Sequence, residues 1–493
     1  MDSAATETGA PPGRTWGLLL ILSAQFTIML DGSIVTVALP SVQRELGFSP
    51  PGVQVVMTAY STALGGALIL GGRIGDLWGR RRVLTAGMAG FAAASLGCGL
   101  ARDAAVLVAG RLVQGFCAAL IAPTALALLA TSFPEGAARA RAMSRFGIAT
   151  VLGFVGGLVL SGPLVEAFGW RGVFFATVPV GAVMAGVTPR VVPAAERTRR
   201  RLDVAGAVLV TAGVGALVAA PALGAASGWG SPRCAGAVAV AAALLVAFAV
   251  VEVRRPEPLV RFGLFRSGTL RAANLVSFAS GMMSGGAYLL VTLYLQEVEG
   301  TGPVRAGLVV APVGLVNLAL GPVLGRTVVR VGLRAAVGGS AVAAGSLLAL
   351  VASRMTPGRD VLVFGAVLLP FGAAMLATTV ASTLAATSGV ADHEQGLAGG
   401  VRQTSFQLGV AIGVAVLVSF AAWRAAALEP GAVPGPQHPA ALAGGYRDAL
   451  YLLAGLVIMA GTAACAMARG AGPPTSRRAA GRDEASSSVG GNV

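Results

Sequence analysis

Two side chains of this 493-residue chain could do acid-base chemistry in an apolar setting: Asp31, in MLDGSIVTVALP (29–40), and Arg111, in LVAGRLVQGFCAA (107–119). An ionised Asp at the middle of a helix in lipid costs roughly 2.5 to 3.5 kcal/mol on insertion scales, so such a carboxyl must face water, hold a partner or carry a proton. Counted along helices rising 1.5 Å per residue, Asp31 lies about 10 Å and Arg111 about 8 Å below the same membrane surface. The matched depth predicts that both face one cavity, in which Asp31 exchanges a proton. A static ion pair is the other reading of the same two residues.

Other chemistries find few residues to work with. All 36 basic residues are arginine, whereas a Walker loop or a Schiff-base site needs a lysine. Energy must therefore come from outside the chain, as a proton gradient, with no cofactor expected. The two histidines, His393 and His438, fall in loops without metal-ligand spacing, which predicts no metal site and no enzyme. No filter or charged ring suggests a channel. Cys98, Cys117, Cys234 and Cys465 lie in apolar runs and read as packing residues. Polar groups inside such runs are sparse: Gln25, Gln114, Asn274, Asn317, Gln403 and Gln407. They would suit a cavity that holds an amphipathic small molecule by shape and a few hydrogen bonds, although each amide could equally bond a neighbouring helix. Met282 and Met283 are expected in the core.

The elements that must position these residues follow from composition. Hydrophobic residues make up 55% and charged ones 12%, with a mean hydropathy of +0.78. Apolar runs long enough to cross a bilayer recur from end to end, which predicts an all-α polytopic membrane protein. Fourteen transmembrane helices are expected, near 16–38, 53–72, 83–101, 106–131, 143–166, 172–192, 204–222, 234–252, 270–295, 306–325, 335–353, 360–386, 398–423 and 448–468. They divide into an N-terminal six-helix bundle (16–192), a C-terminal one (269–468) and, between them, a region (193–268) of cytoplasmic linkers and two inserted helices. Residues 1–15 and a disordered tail, 469–493, would be cytoplasmic, since the arginine excess falls on the segments on that side. The net charge of +15 is scattered between apolar runs, so it is expected to meet lipid head groups and not nucleic acid. Arginine-only basic usage with abundant Ala and Gly points to a GC-rich bacterium, hence to its inner membrane.

Internal symmetry is faint. LILGGRIGDLWGRRRVLTAG (68–87) and LALGPVLGRTVVRVGLRAAVG (318–338) share LG, a Gly four residues on, and an Arg-rich turn. Duplicated blocks are how many transporters build two pseudo-symmetric bundles that rock about a central site. In GGRIGDLWGRRRVL (71–84), read as a loop, Gly72, Gly75 and Gly79 would allow a tight turn, Asp76 would face a helix N-terminus or an Arg, and Arg80 to Arg82 would meet anionic lipid.

These stretches, with GLAGGVRQTSFQLGVAIGVAVL (396–417) and VEAFGWRGVFFATVPVG (165–181), resemble the fourteen-span drug:proton antiporter family of the major facilitator superfamily. The 71–84 stretch is similar to that superfamily's loop pattern G-x-L-A-D-R-x-G-R-K. The resemblance implies that Asp31 is the span 1 acid of proton coupling. It likewise implies that Arg111, Gln114 and Gly115 form the span 4 motif, that Gly72, Asp76, Gly79 and Arg80 form the gating loop, and that the helices over 204–252 are the family's inserted pair. Span 5 keeps Gly153, Gly157 and Gly162 of the antiporter pattern but has Leu158 in place of Pro and Ser161 in place of Gly. The implied function is proton-coupled efflux of hydrophobic or amphipathic drugs by a monomer. A proton-coupled importer or a metabolite exporter on the same fold is the alternative. Arg402, at a position usually apolar in the family, is expected to snorkel to the cytoplasm in preference to touching an anionic substrate.

Overall fold

The computed structural model describes residues 12–49, 52–133, 137–192, 204–255, 262–358, 361–388, 395–429 and 439–468. Residues 1–11, the segments 193–203 and 256–261, both histidines and the tail expected to be disordered lie outside the described residues. In lipid every backbone N–H and C=O must bond within its own segment, so these apolar runs close into helices. Among the described residues the chain forms no strand. Among the described residues eleven helices are long and apolar enough to cross a membrane, while Val55–Leu68 and Val208–Pro221 are shorter apolar helices.

The N-terminal helices are α1 (Pro12–Leu46), α2 (Val55–Trp78), α3 (Arg80–Gly99), α4 (Ala104–Ser132), α5 (Ala137–Phe168), α6 (Arg171–Phe175) and α7 (Thr177–Val191). Then come α8 (Val204–Ser227) and α9 (Pro232–Arg254). The C-terminal helices are α10 (Gly268–Met282), α11 (Tyr288–Leu293), α12 (Pro303–Val331), α13 (Leu333–Ser353), α14 (Val361–Thr387), α15 (Gln395–Leu428) and α16 (Pro439–Met467). Two π-helical segments, Met283–Ala287 and Tyr294–Val298, interrupt the rod that runs from α10 through α11.

The faint sequence echo corresponds to a local match in the backbone. The stretch expected to be a loop is almost wholly helical: α2 continues through Trp78, and a break at Gly79 alone (φ 90°, ψ 125°) starts α3. Between α12 and α13 the break is again a single glycine, Gly332 (φ 90°, ψ 139°). A side chain is rarely tolerated there, because its Cβ would strike the backbone. Two residues after each break an arginine crosses to the same kind of neighbour: Arg81 donates to the carbonyl of Pro189 on α7, and Arg334 to that of Cys465 on α16. Pairing follows the same plan, with α1 on α5, α2 on α4 and α3 on α7, as α10 packs on α15, α12 on α14 and α13 on α16.

The end of the molecule bearing Gly79 and Gly332 is termed the near end, and the opposite one the far end. N-terminal and C-terminal helices meet chiefly toward the far end. A Cβ on Gly162 of α5 would come within 2.6 Å of Val304 Cα on α12, and one on Gly307 within 2.8 Å of the Leu158 carbonyl oxygen. Gln54 of α2 donates to Ser419 of α15 at 3.0 Å. At mid-depth a Cβ on Gly65 would lie 3.1 Å from Gln407 Cβ. Toward the near end, by contrast, a Cβ on Gly147, Gly321, Gly399 or Gly400 would meet open space. The described contacts across the seam thus gather at the far end and at mid-depth. Helix α8 bridges the α2–α15 side of this seam, and α9 packs on α8, exposing Val238, Val246, Val250 and Val253 as an apolar surface suited to lipid.

Candidate functional site

Asp31, Arg111 and Gln114 form one cluster inside the N-terminal helices. Arg111 Nη1 donates to Asp31 Oδ2 at 2.7 Å and to Gln114 Oε1 at 3.0 Å. Gln114 Nε2 donates to Asp31 Oδ1 at 3.2 Å, so both carboxylate oxygens are occupied. Spacing on α4 explains the joint approach: residues three apart share a helix face, and that face is turned to α1. Gly115 lets α4 come so close to α2 that a Cβ there would strike the backbone of Tyr60.

Three residues absent from the sequence reading complete the cluster. The Val56 carbonyl accepts from Arg111 Nε at 3.0 Å, the Tyr60 ring lies 4.3 Å from the guanidinium carbon, and Ser95 accepts from Gln114 Nε2 at 2.7 Å. A ring face and a carbonyl supply the remaining negative potential that a buried guanidinium needs. Ser95 and Cys98 are polar or polarisable residues three apart on the otherwise apolar stretch from Ala86 to Gly99 of α3, a signal present in the sequence. Tyr60 and the Val56 carbonyl had none, since only packing brings them to Arg111.

Asp31 and Gln114 are 0% exposed and Arg111 1% exposed. The shared cavity expected around Asp31 and Arg111 is therefore not what surrounds them here. They are in direct contact, shielded by α2, by α3 and by Phe174, whose ring is 5.9 Å from the guanidinium carbon. In this conformation the cluster is a closed ion pair in which both Asp31 oxygens, Arg111 Nε and Nη1, and both ends of the Gln114 amide are hydrogen-bonded.

The span 5 glycines act as contact points. A Cβ on Gly153 would come within 3.0 Å of Phe26 Cα, and one on Gly157 within 2.6 Å of the Leu30 carbonyl oxygen, both on α1. Two serines tie the same helices. Ser33 Oγ donates to Phe154 O at 2.8 Å, and Ser161 Oγ donates to Ile34 O at 2.5 Å. Ser161, where the antiporter pattern has Gly, thus bonds α5 to α1 while Gly162 carries the contact to α12. A Cβ on Gly72 would make only ordinary contact with Pro123, at 3.5 Å. Arg80 donates to Ala127 O of α4 at 3.3 Å, and Asp76, whose side chain lies outside the described residues, falls in the last turns of α2.

The expected cavity amides do not converge. Gln25 is buried on α1, and Gln407 is buried against α2. Asn317 is half-buried on α12 with no hydrogen bond to Oδ1 among the described residues. Asn274 and Gln403 belong to a second polar group between α10 and α15, in which Ser405 donates to Asn274 Oδ1 at 2.8 Å. Arg402 joins this group, donating to Gln403 Oε1 at 2.7 Å and, more distantly, to Ser277 Oγ at 3.5 Å. Its guanidinium does not snorkel. Gly281 packs on Phe406, so Ser277 stands level with Arg402, and the head group stays at the depth of its own backbone. Met282 and Met283 are buried in the core.

Residues 21–414 match the family model of the Major Facilitator Superfamily. The chain belongs to that superfamily. This transporter is 39% identical over 425 residues to the puromycin resistance protein Pur8 of Streptomyces alboniger, which covers 85% of this chain and 83% of the relative. It is 36% identical over 428 residues to the cephamycin export protein CmcT of Amycolatopsis lactamdurans, covering 85% and 87%. In fold it is similar to the crystal structure of a bacterial homologue of the human lysosomal transporter Spinster, with a TM-score of 0.64 at 16% identity, over 94% of this chain and 98% of that one. The chain is thus a multi-pass membrane transporter whose relatives include antibiotic resistance and export proteins.

Proposed function

We propose that this transporter is a proton-coupled antiporter that exports amphipathic small molecules, drugs or toxic metabolites, by alternating access. Its fourteen spans would form two six-helix bundles with α8 and α9 inserted, working as a monomer in the inner membrane with both termini in the cytoplasm. The observation that carries the reading is the pair Asp31–Arg111, 2.7 Å apart between α1 and α4 at mid-depth. Protonation and ion pairing are exclusive states of one carboxyl: a proton on Asp31 removes the charge that holds Arg111. A conformation that parts α1 from α4 and admits water would let Asp31 load a proton, and re-formation of the pair would expel it. Rocking is supported by a seam whose close contacts gather at the far end and at mid-depth. The resistance and export relatives support outward movement of cargo.

One proton moving down about 100 mV releases about 2.3 kcal/mol, enough for a roughly fifty-fold cargo gradient. The test is dye uptake into everted membrane vesicles. Wild type should accumulate cargo until a protonophore is added, and Asp31→Asn should show no difference with or without it. Uptake by Asp31→Asn that still collapses with the gradient would exclude Asp31 as the proton carrier. Depletion of dye from the vesicles would identify an importer.

A further inference from the structure

Among the described residues Arg402 is a cation without a counter-charge. Its described partners are a neutral amide and a neutral hydroxyl, and no carboxylate of the described residues lies against it. Asp31 cannot serve, because its charge is already matched by Arg111. A guanidinium held within a membrane bundle is expensive, so its retention calls for a ligand or a partner.

The guanidinium lies between α10 and α15, with Ser277 on Nη1 and Gln403 on Nη2. Gln403, which accepts from Nη2, lies one turn before Gln407, and Gln407 packs on Gly65 of α2. Both glutamines therefore share the face of α15 that looks across the seam. Protein surrounds Arg402 on most sides, yet part of its surface remains accessible. The glycines one turn nearer the end, Gly399 and Gly400, border open space. A molecule in that open space would lie one helical turn from the guanidinium. Its two terminal nitrogens, anchored by Ser277 and Gln403, form a rigid fork suited to two carboxylate oxygens, and the long 3.5 Å contact to Ser277 is readily exchanged for a charge-assisted one.

We propose that Arg402, steadied by Ser277 and Gln403, binds the carboxylate of the cargo, so that this transporter selects anionic amphiphiles over cationic or neutral ones. The inference rests on the export reading above and narrows it to a substrate class. Ser277 and Gln403 are positioning residues: they hold the fork between α10 and α15.

The experiment uses everted vesicles bearing the full-length protein and two dyes of one ring system: fluorescein, which carries a carboxylate, and its ethyl ester, which does not. Wild type should take up fluorescein in preference to the ester. Arg402→Gln should lower fluorescein uptake about tenfold or more, the worth of a hydrogen-bonded charge, and leave ester uptake unchanged. Arg402→Lys should keep part of the acid uptake, which separates lost charge from lost folding. Equal loss of both dyes in Arg402→Gln at unchanged membrane abundance would overturn the proposal. Preferential gradient-driven uptake of the ester by wild type would overturn it too, while leaving the export reading intact.

Discussion

The buried pair makes a quantitative prediction that separates what Asp31 does for stability from what it does for transport. Removing one partner of a buried ion pair costs roughly 3 to 5 kcal/mol, because the other charge is left uncompensated. In Asp31→Asn the amide oxygen can still accept from Arg111 Nη1, and Arg111 keeps the Val56 carbonyl, Gln114 Oε1 and the Tyr60 face. The cost should therefore fall at the low end, about 3 kcal/mol. Arg111→Gln strands the carboxylate with only Gln114 as donor, and should cost about 4 kcal/mol on the same scale. The double variant holds no stranded charge. Its loss should undercut the sum of the single losses by about 2 to 3 kcal/mol, the coupling expected of residues in one network. Reversible unfolding in mixed detergent micelles measures all three. Vesicle uptake on the same proteins should show proton-driven accumulation lost in every variant, the restabilised double included. Single losses that add to within about 0.5 kcal/mol would refute the claim that the pair is closed and uncompensated when broken. Uptake recovered together with stability in the double variant would reduce Asp31 to a structural residue.

Two further outcomes follow from the seam and the breaks. Gly162→Val places a side chain where Val304 Cα is already 2.6 Å from the Cβ position, so it should pry open the far end; maleimide labelling of a cysteine placed at Gln54 should rise at least several-fold, and unchanged labelling would show that this contact does not hold the seam. Gly79→Ala and Gly332→Ala each force a side chain into φ 90°, at about 1 to 3 kcal/mol apiece. The breaks lie in separate sets of helices, so the two losses should add in thermal unfolding, and a strongly non-additive pair would argue against equivalent, independent hinges.

Much of the fold is legible in this sequence because lipid allows an apolar run little choice but helix. The ends were less so. Helices α1 and α5 overrun the predicted spans at both termini, since hydrogen bonding continues past the last apolar residue wherever nothing terminates it. The stretch 71–84 was misread as a loop because its glycines and arginines look like turn residues. Three of its four glycines sit within α2, and only Gly79 adopts a backbone that requires glycine.

Residue type and depth along a helix singled out Asp31 and Arg111 from the sequence alone, because a carboxylate and a guanidinium are conspicuous against Leu, Val and Ala. Gln114 stood among the sparse amides and was joined to Arg111 by the resemblance of the span 4 stretch. Rotation of one helix about its axis relative to its neighbour is set by packing, which linear periodicity does not record. Only the tertiary structure could decide that Asp31 is closed against Arg111 without a cavity, that the Tyr60 ring and the Val56 carbonyl complete the site, and that Arg402 bonds Ser277 and Gln403 between α10 and α15 instead of reaching for water.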